Sequence, residues 1–118
     1  MGIETQAILP GHLTAENVCE LLATQCGVTR AVARPMHRPE YKIIEFVDRS
    51  GSLQALNLFL NSYAASDYAD VFTGNSTLAT LEFSPPNFEV LSALAGETGG
   101  YVQRIGGESW SKVAARVA

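Results

Sequence analysis

The chain has 118 residues, 47% of them hydrophobic and 17% charged, with 8 Lys+Arg against 12 Asp+Glu and a formal net charge of −4. That is the size of one domain, large enough to bury about two thirds of its unfolded surface without a disulfide or metal staple. It is too apolar for a disordered chain and too acidic for general nucleic-acid affinity, which rests on clustered Lys and Arg.

Ile3 to Leu9 reads as a first strand, with Ile3, Thr5, Ala7 and Leu9 on one face, and Pro10-Gly11 ends it. Glu4 and Gln6 fall where the apolar core of an export signal would lie, so a cytoplasmic location is expected. Thr14 is a good N-cap for a helix with Glu16 in its first turn. Val18, Leu21, Leu22 and Cys26 recur at helical spacing, and Gly27 stops the helix. Cys19 and Cys26 then share a helix face about two turns apart, roughly 10 Å along the axis. A disulfide needs Cα atoms within about 7 Å, so both read as small core residues.

Val28 to Arg34 is a short strand, and Pro35 to Glu40 a connection held out of regular structure by Pro35 and Pro39. Tyr41 to Val47 is a β run, Asp48-Arg49-Ser50-Gly51 a turn, and Leu53 to Leu60 its partner strand, apolar on both faces. Gln54 and Asn57 interrupt that run, and a membrane span needs about 20 apolar residues. Asn61 to Ser76 is the longest irregular stretch, carrying Tyr63, Tyr68, Phe72, Asp67 and Asp70. Thr77 to Phe83 is another strand, and Ser84-Pro85-Pro86-Asn87 opens a second helix with Phe88, Leu91, Leu94 and Ala95 on its apolar stripe. Gly96 or Gly99 closes it, and Gly100 to Ile105 is a last strand broken by Gly106-Gly107. Residues 105–118 form a tail or one more short helix, with Trp110, Val113 and Val117 as its apolar residues.

This order predicts a single α+β domain over 1–118: a ferredoxin-like βαββαβ core with extra strands, and two helices packed on one face of a mostly antiparallel sheet. Two helices cover one side only, so the apolar residues of the other side need a second subunit, the tyrosine-rich loop or the tail to cover them.

No catalytic constellation emerges. His12 and His37 lie in turns without metal-ligand spacing, neither cysteine has a basic neighbour to activate it, and no glycine pattern cradles a phosphate. No cofactor or metal is expected. The one asymmetry is basic: Arg30, Arg34, Arg38 and Lys42 are half of all Lys and Arg and repeat every four residues, with His37 among them. They suit an anionic ligand or acidic partner surface, or simply a solvated strand edge kept from aggregating by its charge. Trp110, the only tryptophan, is either an interface anchor or the residue that pins the tail onto the sheet.

Two functional expectations follow. One is a non-enzymatic protein-interaction or immunity-like domain acting as a homodimer through the uncovered sheet face, with a protein partner and no nucleic acid or membrane. The other is a small-molecule binder or cofactor-free enzyme of dimeric α/β-barrel type, with His37, Tyr41, Glu45 and Tyr101 as first pocket candidates.

Overall fold

A computed structural model describes residues 4–60, 76–105 and 109–113. The elements are β1 (Glu4–Pro10), α1 (Ala15–Gln25), β2 (Thr29–Pro35), β3 (Tyr41–Val47), β4 (Leu53–Phe59), β5 (Ser76–Glu82), α2 (Pro85–Thr98), β6 (Tyr101–Gln103) and β7 (Ser111–Lys112). The fold is α+β. The seven strands of the described residues join one sheet in the order β2-β3-β4-β5-β1-β6-β7, and every neighbouring pair is antiparallel. The sheet is therefore larger than that of a plain βαββαβ unit.

Local chemistry accounts for the element ends. Thr14 caps α1 reciprocally with Asn17: Asn17 N–H donates to Thr14 Oγ1, and Thr14 N–H to Asn17 Oδ1, both at 3.1 Å. Such a cap stabilises a helix by about 1 kcal/mol. The helix ends where Gly27 takes a left-handed φ of 66°. In α2 the Ser84 hydroxyl accepts from Asn87 N–H at 3.2 Å, and Pro85 and Pro86 occupy first-turn positions where a missing N–H costs nothing. Gly99, at φ 73°, and not Gly96, ends the helix; Gly96 is buried within it.

Both helices pack on the same face of the sheet. Val18 and Leu22 of α1 and Leu91, Leu94 and Ala95 of α2 share one core with Ala7, Leu9, Ile44, Phe46, Leu56, Leu58, Ala79, Leu81 and Val102. These strand residues are register partners or second neighbours, so they mark the inner face. Each fully buried Leu or Phe contributes about 1.5–3 kcal/mol of transfer free energy. Cys19 and Cys26 are free thiols; Cys26 is buried and Cys19 half-buried against this core.

Several expected boundaries shift. Ser76 begins β5 and is buried, where the sequence placed it at the end of the irregular stretch. Strand β6 covers only Tyr101–Gln103, and it is not last, because Ser111–Lys112 pairs with it as β7. Tyr63, Asp67, Tyr68, Phe72, Gly106-Gly107 and Val117, and Ile3 at the start, lie outside the described residues. No helix among the described residues is long and apolar enough to cross a membrane.

Candidate functional site

The sheet's outer face, turned away from the helices, is built in cross-strand rows. One row runs Tyr41, Phe59, Leu78, Ile8, Tyr101, Lys112 through five consecutive register pairs. It is apolar and aromatic: the Tyr41 and Phe59 rings stack at 4.9 Å with 9° between their planes, and Lys112 Nζ lies 5.4 Å from the Tyr101 ring centre. The next row, Asn57, Thr80, Gln6 and Gln103, is polar, and Tyr41 ties the two together by donating its hydroxyl to Asn57 Oδ1 at 2.9 Å. At the centre of the apolar row Ile8 and Leu78 are buried, with Phe59, Tyr101 and Trp110 packed against them. Trp110 thus sits on the outer face within its own chain.

The basic cluster is not gathered on one face. A bulge between Thr29 and Val32 sets two residues of β2 against one of β3, and Arg30 occupies it with a φ of 55°. That position normally takes Gly, and an L-residue there costs about 1–2 kcal/mol. Arg34 lies on the outer face, where its Nε donates to Glu45 Oε1. Arg38, in the β2–β3 connection, pairs with Glu40 at 2.8 Å. Lys42 stands opposite Leu58 and Pro35, on the inner-face register. His37 is exposed in the connection. The four charges share an end of the sheet, but the bulge and the connection turn them in different directions.

Tyr41 and Tyr101 are four strand spacings apart in one row, about 19 Å. Glu45 is four residues along β3 from Tyr41, about 13 Å. The fold does not bring His37, Tyr41, Glu45 and Tyr101 together around one point.

Sequence reasoning missed two features. The first is which residues of the uncovered apolar side stay exposed, the uncovered side itself being expected from the sequence. Among the described residues the exposed large hydrophobics are Val32 (57%), Met36 (37%) and Leu53 (68%). Val32 stands opposite Glu45 and Leu53 opposite Val47, on the outer-face register. Strand periodicity alone could not separate these from buried residues. The second is the polar clasp of the β3–β4 turn. Asp48 Oδ1 accepts from Ser50 N–H (2.9 Å), Ser50 Oγ (2.6 Å) and Ser52 N–H (3.0 Å), and Oδ2 accepts from Gln54 Nε2 at 3.0 Å. Gln54 Oε1 in turn accepts from Asn87 Nδ2 at 3.1 Å, linking the turn to the start of α2. The spacing Asp-x-Ser-Gly-Ser is the signal that announces such a turn. The Ser50 hydroxyl first, then the Ser52 N–H, hold the Asp48 carboxyl below its ordinary pKa, against the opposing pull of desolvation.

Beside this clasp lies a groove of about 300 Å³, between the end of α1, the turn and the outer side of α2, with Cys26, Val28, Val90 and Pro86 among its walls. Arg49 lies across Gly27, so close that a Cβ at 27 would stand 2.6 Å from its Nε. Asp48 and Glu89 also line the groove. With Asp48 saturated by its own turn, the groove offers one guanidinium and one carboxylate at the rim of an apolar floor. Cys26 is no nucleophile here: its thiol is buried and directed at Val90 O, 3.7 Å away. Burial first, and then the Glu16 charge, raise the Cys19 thiol above its ordinary pKa. Among the described residues no three His, Cys, Asp or Glu side chains are grouped to hold a metal ion.

Comparison of the chain with models of known protein families, with characterised proteins and with solved structures returns no match.

Proposed function

We propose that the chain is a non-enzymatic protein-interaction domain, cytoplasmic and immunity-like in build, that works as a homodimer through the β2–β4 end of its outer sheet face. The observation that carries this reading is the exposure of Val32 and Leu53, two of the three exposed large hydrophobics of the described residues, on the outer-face register of β2 and β4, two strands apart. Exposed apolar side chains gathered in one place mark contact surfaces, whereas scattered ones need no explanation. A two-fold axis through the patch buries each residue twice, and full burial of a Leu or Val contributes about 1.5–3 kcal/mol per copy. The remainder of the outer face is less available, because Ile8 and Leu78 are already buried under their own chain.

Within this proposal the architecture is a ferredoxin-like derivative. The sheet order β4-β5-β1-β6, with α1 after β1 and α2 after β5, matches a βαββαβ arrangement into which the β2–β3 pair is inserted. The groove beside Arg49 favours a second reading, a small-molecule binder. It lies at the helical end of the molecule, not between two sheet faces as a dimeric barrel requires.

Sedimentation velocity from micromolar to millimolar protein tests the dimer. The expected result is a concentration-dependent dimer that Leu53→Glu abolishes while the circular dichroism spectrum is unchanged, since Leu53 is 68% exposed in the monomer. A monomer throughout that range overturns the homodimer.

A further inference from the structure

We propose that the outer edge of β2 is a docking edge for an extended, acidic segment of a partner protein, which adds to the sheet as an eighth strand. This rests on the reading of the chain as an interaction domain but not on the dimer: the dimer uses the outer face around Leu53 and Val32, and this contact uses the backbone edge of β2, with Val32 common to both.

Strand β2 is terminal in the sheet order, and among the described residues only β3 pairs with it. An edge strand presents unpaired N–H and C=O groups, a template for another chain. Edges are commonly blunted by a bulge, a proline or charge, and β2 has each of these, placed so that the middle of the strand stays open. The bulge lies between Thr29 and Val32, and the proline is the last residue, Pro35; Val32 to Pro35 pairs with β3 in unbroken register. The Arg34 guanidinium does not guard the edge, because it turns along the sheet to Glu45. Val32, the first residue of the regular stretch, is apolar and 57% exposed, the opposite of what a protected edge carries.

Charge selects the occupant. Residues 29–47 hold Arg30, Arg34, Arg38 and Lys42 against Glu40 and Glu45, a surplus of two positive charges in a chain whose total is −4. Glu45 and Glu40 are taken by Arg34 and Arg38. The surplus is therefore carried by Arg30, held out by its bulge near the start of the strand, and Lys42, opposite Pro35 at its end. An incoming segment meets Arg30 in its bulge and, two residues on, the exposed Val32, while Lys42 stands one strand behind the edge on β3 and adds to the positive field. A second copy is a poor occupant, because its own β2 would bring the same positive surplus to the edge.

The test uses a capped seven-residue peptide alternating glutamate with valine, fluorescently labelled, and a twin with lysine in place of glutamate. Anisotropy titration is expected to show saturable, salt-sensitive binding of the glutamate peptide and at least about tenfold weaker binding of its twin. Two further versions carry N-methyl groups on alternate amides, in opposite phase. The phase that blocks the amides facing β2 loses binding and the other keeps it, because strand addition uses every second N–H. Arg30→Glu is expected to weaken the glutamate peptide by about tenfold. Equal binding of the charge twins, indifference to both N-methyl phases, or no saturation at millimolar peptide overturns the proposal. Failure of the peptide to bind even the Leu53→Glu monomer, with the wild-type dimer intact, sinks the edge alone, and peptide binding by a strict monomer sinks the dimer alone.

Discussion

Gly99 and Gly100 are adjacent glycines required for different reasons, and replacing each by alanine separates them. Gly99 has a φ of 73° and open space where a Cβ would stand, so Gly99→Ala suffers only the backbone cost of a left-handed residue, about 1–2 kcal/mol. Gly100 has no such dihedral, but its Cβ would stand 2.0 Å from the Ile8 carbonyl oxygen and 3.0 Å from Pro10 Cδ. Both obstacles belong to β1, the strand beside β6, so no side-chain rotation relieves the clash and the backbone must retreat by about 1 Å or more. That movement disturbs two hydrogen bonds, Gly100 N–H to Ala95 O at 2.7 Å and Val113 N–H to Gly100 O at 2.9 Å. At about 0.5–1.5 kcal/mol each, with part of the packing of the buried Val102 lost as well, Gly100→Ala should destabilise by about 2–4 kcal/mol. Urea unfolding followed by circular dichroism, with the slope unchanged, measures both variants. A Gly100→Ala loss below that of Gly99→Ala would refute the close approach of β6 to β1.

Asp48→Asn should lower the melting temperature at neutral pH, since an amide replaces one acceptor of the turn with a donor. A carboxyl held below its ordinary pKa stabilises above the unfolded value near pH 4 and ceases to do so as the pH falls through the folded one. The gap between wild type and variant should therefore narrow below about pH 4, and a gap constant down to pH 2 would contradict the clasp. Cys19, its thiol raised by burial and by Glu16, should react with Ellman's reagent more slowly than free cysteine at pH 8. Cys26 should react only on unfolding, and prompt labelling of both sites would remove the packing described for α1. Tyr41→Phe deletes the hydrogen bond to Asn57 while keeping the stack on Phe59, so a loss of about 0.5–1.5 kcal/mol is expected in urea titration; no loss would place the hydroxyl in solvent.

The elements legible in the sequence are those with local causes. Tyr41–Val47 and the Asp48–Gly51 turn follow from β-branched alternation broken by a turn motif, and the Thr14 and Ser84 caps from side-chain hydrogen bonding within three residues. The rest depends on distant partners. Ser76 gives no sign of being a strand residue until Pro10 stands opposite it. Ser111–Lys112 is polar and two residues long, a strand only because Tyr101–Val102 offers an edge. The basic cluster has a regular four-residue spacing, but the bulge at Arg30 is a property of the β2–β3 pairing and not of the residues in it. The Asp48–Gln54–Asn87 chain joins residues 39 positions apart and has no periodic trace.

The position of β1 bears on how the chain reaches this arrangement. It is the first strand in sequence and an interior strand of the sheet, yet both its neighbours come late: Glu4 pairs with Glu82, and Gln6 with Gln103. A ribosome adding residues in order, at about 5–20 per second, releases β1 long before either partner exists. The β2–β3–β4 meander, whose pairings are local, is free to form meanwhile. Closure of the sheet then waits on a segment almost a hundred residues downstream, and loops that long make folding slow among domains of this size. During that interval Ala7, Ile8 and Leu9, all wholly buried at the end, are open to solvent and to other nascent chains. A chaperone that shields the β1 segment until its partners are made would act in that interval.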